Sequence, residues 1–290
     1  MRAYTFFPGC CCDEGSGVAS GISARAVAGP LEIELRELAD WSCCGSAPMW
    51  ALDSLEGPCA SLRNLALAEP SGLDLVTQCS SCYLTLKRGH DLFLVDAAQG
   101  ARLGRALRAA GLEYRGRVRV RHLAEVLLDD VGGEAISRRL QKKLSGLRVA
   151  CYYGCQTVRP QGIDHPEFPV RLEALVSTLG AEAVDFPYKT RCCGASLMFS
   201  EQDLALSLVR KILESATERG AQCLVTVCPF CQINLDAFQR QINSRFGTRF
   251  QVPVFFLTQL IGLALGLEPR ALALEKNVVS PVPLLSAHVA

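Results

Sequence analysis

Leu73-Asp74-Leu75-Val76-Thr77-Gln78-Cys79-Ser80-Ser81-Cys82 and Cys223-Leu224-Val225-Thr226-Val227-Cys228-Pro229-Phe230-Cys231 decide the fold. Each is a short apolar, β-branched run of strand length that ends on Cys-x-x-Cys. Working outward, Cys43, Cys44, Cys79 and Cys82 have counterparts 149 residues later in Cys192, Cys193, Cys228 and Cys231. Gly9-Cys10 has its counterpart in Gly154-Cys155, and Cys43-Cys44-Gly45 in Cys192-Cys193-Gly194. Ten cysteines in one register mark an internal duplication.

Ala3–Phe7 and Leu147–Tyr152 read as buried strands, each leading to a Gly-Cys turn. Helical spacing precedes the Cys-x-x-Cys strands in Cys59–Ala68 and Leu204–Arg219, and follows them in Tyr83–Leu94 and Ile233–Phe246. Strand, motif and helix in alternation predict an α/β fold: two similar Rossmann-like halves with short parallel sheets flanked by helices. Ligands of such sheets gather at the carboxyl ends of the strands. Val120–Asp130 and Glu134–Leu144 read as helices joined by Gly132-Gly133, and the halves divide near Ser145-Gly146. The expected domains are 1–145 and 146–268. Residues 269–290 form a tail expected to be poorly ordered unless a partner holds it.

The chain has 290 residues, 30 basic and 29 acidic side chains, and 49% hydrophobic residues. That composition supports a core and gives no basic surplus for gripping nucleic acid. The apolar stretch at Met1–Gly9 is too short for a signal-peptide core, which points to a cytoplasmic protein. In a reducing compartment fifteen cysteines read as metal-binding or catalytic, not as a disulfide framework. The most apolar window, 252–267, contains Pro253, Thr258 and Gln259 and reads as a strand and a helix, with no membrane span.

Five cysteines per copy, two of them adjacent, exceed the four ligands of structural zinc. They suit a thiolate-held iron–sulfur cluster, in which neighbouring cysteines bind different irons. Ten thiolates would take the formal charge from +1 to −9, so they need bound cations. Zinc is the alternative occupant of one site. Cys228-Pro229-Phe230-Cys231 resembles a glutaredoxin dithiol, but that chemistry leaves the Cys-Cys-Gly pairs without a task. Cys59, Cys151 and Cys223 read as small buried hydrophobes. Within Cys10-Cys11-Cys12 the glycine register selects Cys10, with Cys11 as the alternative.

Two copies of Cys…Cys-Cys-Gly…Cys-x-x-Cys resemble the duplicated cysteine-rich, or CCG, pattern of the heterodisulfide reductase B subunit. The likeness extends to Val120-Arg121-His122-Leu123-Ala124-Glu125, Asp164-His165-Pro166-Glu167 and Thr258-Gln259-Leu260-Ile261-Gly262, and runs from about Tyr4 to Leu267. The resemblance implies two noncubane [4Fe-4S] clusters facing each other. The first falls on Cys10, Cys43, Cys44, Cys79 and Cys82, the second on Cys155, Cys192, Cys193, Cys228 and Cys231. It also implies a disulfide or thiol substrate between them, and two partner proteins of a heterodisulfide reductase-type complex, one ferredoxin-like and one flavin-containing. Related modules work in sulfur-oxidising complexes and as electron relays. Gly45-Ser46-Ala47-Pro48 departs from the family pattern, so the substrate does not transfer with the cluster motif. Lys87, Arg88, Lys189 and Arg191 read as solvated charges, and His122 and His165 as structural hydrogen-bonding groups.

Overall fold

The computed structural model describes residues 1–160 and 162–288, without the side chains of Ala47 and Pro48. The first half runs β1 (Arg2–Phe6), α1 (Cys10–Asp13), α2 (Val18–Ala28), β2 (Ile33–Glu37), α3 (Ala47–Leu52), α4 (Glu56–Ala68), β3 (Leu75–Thr77), α5 (Ser80–Val95), α6 (Ala97–Ala109), β4 (Val120–His122), α7 (Leu123–Val126) and α8 (Gly133–Ser137). The second half runs β5 (Arg148–Tyr152), α9 (Arg171–Thr178), β6 (Glu182–Val184), α10 (Gln202–Glu218), β7 (Cys223–Thr226), α11 (Pro229–Ala237), α12 (Gln239–Phe246), β8 (Val254–Phe256) and α13 (Leu257–Ala264). A last helix, α14 (Val282–His288), follows. Each half is one all-parallel four-stranded sheet, ordered β2-β1-β3-β4 and β6-β5-β7-β8. The α/β duplication is therefore present strand for strand.

The inner strands β1, β3, β5 and β7 are short apolar runs, as a sheet covered on both faces requires. The edge strands carry weaker signals. Ile33-Glu34-Leu35-Arg36-Glu37 and Glu182-Ala183-Val184 expose charged residues and gave no strand signal in the sequence. Val120–Asp130 is not one helix. Val120–His122 pair with β3 in the register Leu75↔Val120 and Thr77↔His122, and the helix begins only at Leu123. A π-helical turn, Leu127–Val131, continues it. The second expected helix stops at Ser137. Beyond it Gln141 and Lys142 donate their backbone N–H groups to Ala264 O, tying the connector to the opposite half.

Helices close the seam, α13 against α2 and α8 against α9. α13 lies on α2, with Ser23 Oγ 2.6 Å from Thr258 Oγ1. Leu127 and Ile136 join Leu172, Leu175 and Val176 of α9 in one continuous core. Arg171 pairs with Asp129 over that contact.

The expectation of a loose tail is corrected. Leu272, Ala273 and Leu274 are buried. Gly262 leaves the space that Leu272 fills, since a Cβ there would collide with the leucine side chain. Asn277 Nδ2 donates to Val254 O at 2.8 Å, and Asp236 accepts from the N–H groups of Val278 and Val279 at 2.6 and 3.1 Å. Backbone groups tied down in this way order a terminus whose composition alone predicts disorder. Val289 and Ala290 lie outside the described residues.

Candidate metal centre

Strand ends place the cysteines. β1 and β5 deliver Cys10 and Cys155 through glycine turns. β3 and β7 end just before Cys79 and Cys228, which stand at the N-cap positions of α5 and α11, with Cys82 and Cys231 in the first helical turns. Cys43-Cys44 and Cys192-Cys193 occupy the loops after β2 and β6. All ten therefore collect at the carboxyl edges of the two sheets, where open α/β folds place their sites.

Within the first set Cys10 stands against Cys43, Cys43 against Cys44, Cys44 against Cys82, and Cys82 against Cys79. The second set repeats most of the pattern. Cys155 stands against Cys192 and Cys228 against Cys231, while Cys193 Sγ and Cys231 Sγ are 3.6 Å apart. The sets meet across the seam, where the Cys79 and Cys228 thiols stand against each other. Cys44, Cys79, Cys82, Cys193, Cys228 and Cys231 are buried, whereas Cys10, Cys43 and Cys192 are exposed. Each set thus has a buried inner trio and an accessible outer edge. Cys11 turns instead toward Ser16 Oγ at 3.8 Å, and Cys12 is buried. Cys59, Cys151 and Cys223 sit within α4, β5 and β7.

Burial and crowding oppose ionisation of most of these thiols. Cys10 and Cys155 are pushed up, first by their hydrogen bonds to Cys43 and Cys192, which are themselves held down. Cys82 is pushed up by Cys44 and Cys79. Ten thiolates here require cations to hold them. Among the described residues no three His, Cys, Asp or Glu side chains converge as they would around one metal ion. Soft donors, five per set, are consistent with iron–sulfur binding.

Gly9 and Gly154 are required where they stand. Gly9 has φ 73° and ψ 150°, a region essentially restricted to glycine. A Cβ there would lie 2.9 Å from Cys82 Sγ, and one on Gly154 would lie 3.0 Å from Cys231 Sγ. Replacing Gly9 by alanine is expected to cost about 1–3 kcal/mol and to reduce metal loading of the first set alone. Denaturant unfolding together with metal analysis checks this, and unchanged loading contradicts it.

Side chains the sequence reading did not single out hold the turns. Ser61 Oγ donates to Cys44 O at 2.9 Å, and Asn64 Nδ2 to Ser42 O at 3.1 Å. In the second half Asn234 Nδ2 donates to Cys193 O at 3.0 Å. Ser80 Oγ reaches across the seam to Thr157 Oγ1 at 2.6 Å and Val227 O at 3.2 Å. Single serines and asparagines on helices carry no sequence signal for such roles.

His122 is structural, as expected. Its Nδ1 accepts from Ala124 N at 3.0 Å and its Nε2 lies 3.1 Å from Val227 O. His165 Nδ1 accepts from Glu167 N and Phe168 N within a turn. Lys189 is not a solvated charge. It is buried and donates to Glu173 and Asp185, each at 2.9 Å. Arg88 stacks over Trp50, 4.3 Å from the ring centroid, on the wall of a 750 Å³ cleft that Lys87 also lines.

Burial lowers the His122 pKa to about 4. The unfolded chain protonates this group below about pH 6.5 while the native state stays neutral. The stability that His122 contributes is therefore complete above about pH 6.5 and lost as pH falls toward 4, by about 3 kcal/mol. Guanidinium unfolding at about pH 7 and pH 4.5 should show this loss in the wild type and a smaller one in His122→Gln. Equal losses contradict the assignment.

The class is thus a duplicated α/β protein with paired five-cysteine centres at the seam of its halves. The chain belongs to the cysteine-rich domain family, CCG, whose model matches residues 4–87 and 149–236, and it is related to the heterodisulfide reductase B subunit. It is 32% identical to the B subunit of the ferredoxin/F(420)H(2)-dependent CoB-CoM heterodisulfide reductase of Methanosarcina acetivorans, over 88% of this chain and 87% of that one. It is 34% identical to a protein of Archaeoglobus profundus described as like the heterodisulfide reductase B subunit, over 87% of each. It is 35% identical to the 8-methylmenaquinol:fumarate reductase membrane anchor subunit of Wolinella succinogenes, over 98% of this chain and 99% of that one. Among the described residues no helix is long and apolar enough to cross a membrane. The crystal structure of a hypothetical protein from Helicobacter pylori shares the fold, with a TM-score of 0.79 and 15% identity over 96% of this chain and 52% of that one.

Proposed function

We propose that this chain is the catalytic iron–sulfur component of a heterodisulfide reductase-like complex, cleaving or forming an S–S bond between two noncubane [4Fe-4S] clusters. Cys10, Cys43, Cys44, Cys79 and Cys82 hold the first; Cys155, Cys192, Cys193, Cys228 and Cys231 hold the second. The observation that carries this reading is the meeting of the two five-thiol sets at Cys79 and Cys228. Splitting a disulfide takes two electrons, and when bound each cluster supplies one-electron chemistry on its own side of the bond. The protein's part is to fix the sulfur donors. Gly9 and Gly154 bring the backbone close, Ser61, Asn64 and Asn234 hold the Cys-Cys turns, and the inner trios are buried. The exposed outer edge at Cys10, Cys43 and Cys192 leaves a face for substrate. A ferredoxin-like protein and a flavin-containing one are the proposed electron partners.

A second reading is a relay component of a quinol-linked reductase complex. It is favoured by the near end-to-end match with the Wolinella fumarate reductase protein, 98% of this chain against 88% for the Methanosarcina protein. Low-temperature EPR of the oxidised protein during thiol titration separates the two. A thiol-dependent paramagnetic species, together with disulfide turnover by reduced dye, supports the enzyme. Signals indifferent to every thiol, with no turnover, support the relay.

A further inference from the structure

A small chamber of about 10 Å³ lies on the seam between the halves. Its lining residues are all buried, none more than 5% exposed. The two repeats supply equivalent positions to its wall. Gln78 is the equivalent of Val227, His122 of Phe256, and Ala124 of Thr258. In each pair one member is polar and the other apolar, so the duplicated wall satisfies its polar atoms unequally.

The imbalance falls on two atoms. Gln78 Oε1 and Thr226 Oγ1 are buried and have no hydrogen-bond partner among the described residues. Thr77, the equivalent of Thr226, does have one, since its Oγ1 accepts from Cys79 N at 3.4 Å. Two other polar side chains of the wall are committed. His122 uses both ring nitrogens and Thr258 pairs with Ser23. A buried acceptor left unpaired is costly. A chamber of this size with two unmet polar atoms fits one water molecule, which needs about 10–15 Å³ and at least two partners.

We propose that one ordered water occupies this chamber, donating to Gln78 Oε1 and pairing with Thr226 Oγ1, and that it makes the surroundings of Cys79 and Cys228 unequal. Gln78 directly precedes Cys79, and Thr226 stands two residues before Cys228. The water thus bridges the two strand ends that carry the thiols meeting across the seam. Where clusters are bound, hydrogen bonding and solvent exclusion at this junction set their potentials apart. That second clause rests on the function proposed above; the water itself does not.

A high-resolution crystal structure of the anaerobically purified protein tests the water. The expected result is one peak about 2.7–3.2 Å from both atoms. The peak should vanish in a Gln78→Leu, Thr226→Val double variant and persist in Thr226→Ser. If the double variant does not fold, the isosteric Thr226→Val alone should weaken the peak. No peak in the wild type, or a Gln78 Oε1 that meets a protein donor instead, overturns the proposal. An EPR-monitored redox titration tests the coupling. The two potentials should move toward each other in the double variant at unchanged iron content, and an unmoved separation overturns that clause. Iron-free wild-type protein that still shows the peak would sink the cluster reading and leave the water standing.

Discussion

Replacing Cys231 by serine is expected to lower iron from about eight atoms per chain to about four, with the protein still folded. Cys231 is 7% exposed, lies 3.6 Å from Cys193 Sγ and neighbours Cys228, so it links the inner trio of the second set. A serine oxygen is a harder donor that keeps its proton, and the remaining four sulfurs cannot span the cluster in its place. Cys82→Ser should have the same effect on the first set, and the double variant should lose nearly all iron. Cys223→Ser serves as the control, because Cys223 is buried in β7 away from both sets. Cys10→Ser and Cys11→Ser extend the test. Cys10 stands against Cys43 and Cys11 faces Ser16, so only the first should reduce iron. Iron and acid-labile sulfide assays read every case. Full iron in Cys231→Ser contradicts the five-thiol assignment.

Arg121→Met is expected to destabilise the protein by about 3–5 kcal/mol, the usual effect of removing one partner from a buried ion network. The guanidinium is 3% exposed; its Nη1 lies 2.6 Å from Asp130 Oδ2 and its Nε 2.9 Å from Glu125 Oε1. Tyr4 hydroxyl donates to the same Asp130 oxygen at 2.5 Å. Methionine fills the volume but takes from the partly buried Glu125 and Asp130 the cation they share, leaving them only the exposed Arg119 and Arg2. A melting temperature lower by on the order of 10 °C follows for a domain of this size. Arg121→Lys should recover part of the loss, since an ammonium keeps the charge but not the forked geometry. A shift below about 2 °C for Arg121→Met contradicts the network's role. Arg121 also shows why the local sequence misleads, as it sits in a strand while Glu125 follows it at helical spacing.

The duplication was legible because cysteine spacing survives where other residues drift. The inner strands were legible because a sheet covered on both faces demands continuous apolar runs. The edge strands β2 and β6 were hidden because half their side chains meet solvent and read as loop. β4 was hidden because Val120-Arg121-His122 runs straight into a helix, and strand pairing with β3 overrides the helical period. The packed tail was invisible for a different reason: Asp236 and Gln259, which hold it, lie far upstream in the chain. The ten cysteines of the proposed site come from the repeat spacing, but that Cys79 is the one to meet Cys228 does not. The seam is closed by α13 on α2 and α8 on α9, and long-range packing of this kind leaves no local pattern.

The central claim is that two sets of five thiolates each hold an iron–sulfur cluster at the seam of the halves. Iron, zinc and acid-labile sulfide measured on the anaerobically purified protein test it most directly. The account predicts about eight irons and eight sulfides per chain, with zinc below one equivalent. A folded, colourless protein without iron, or one carrying only zinc, would contradict it.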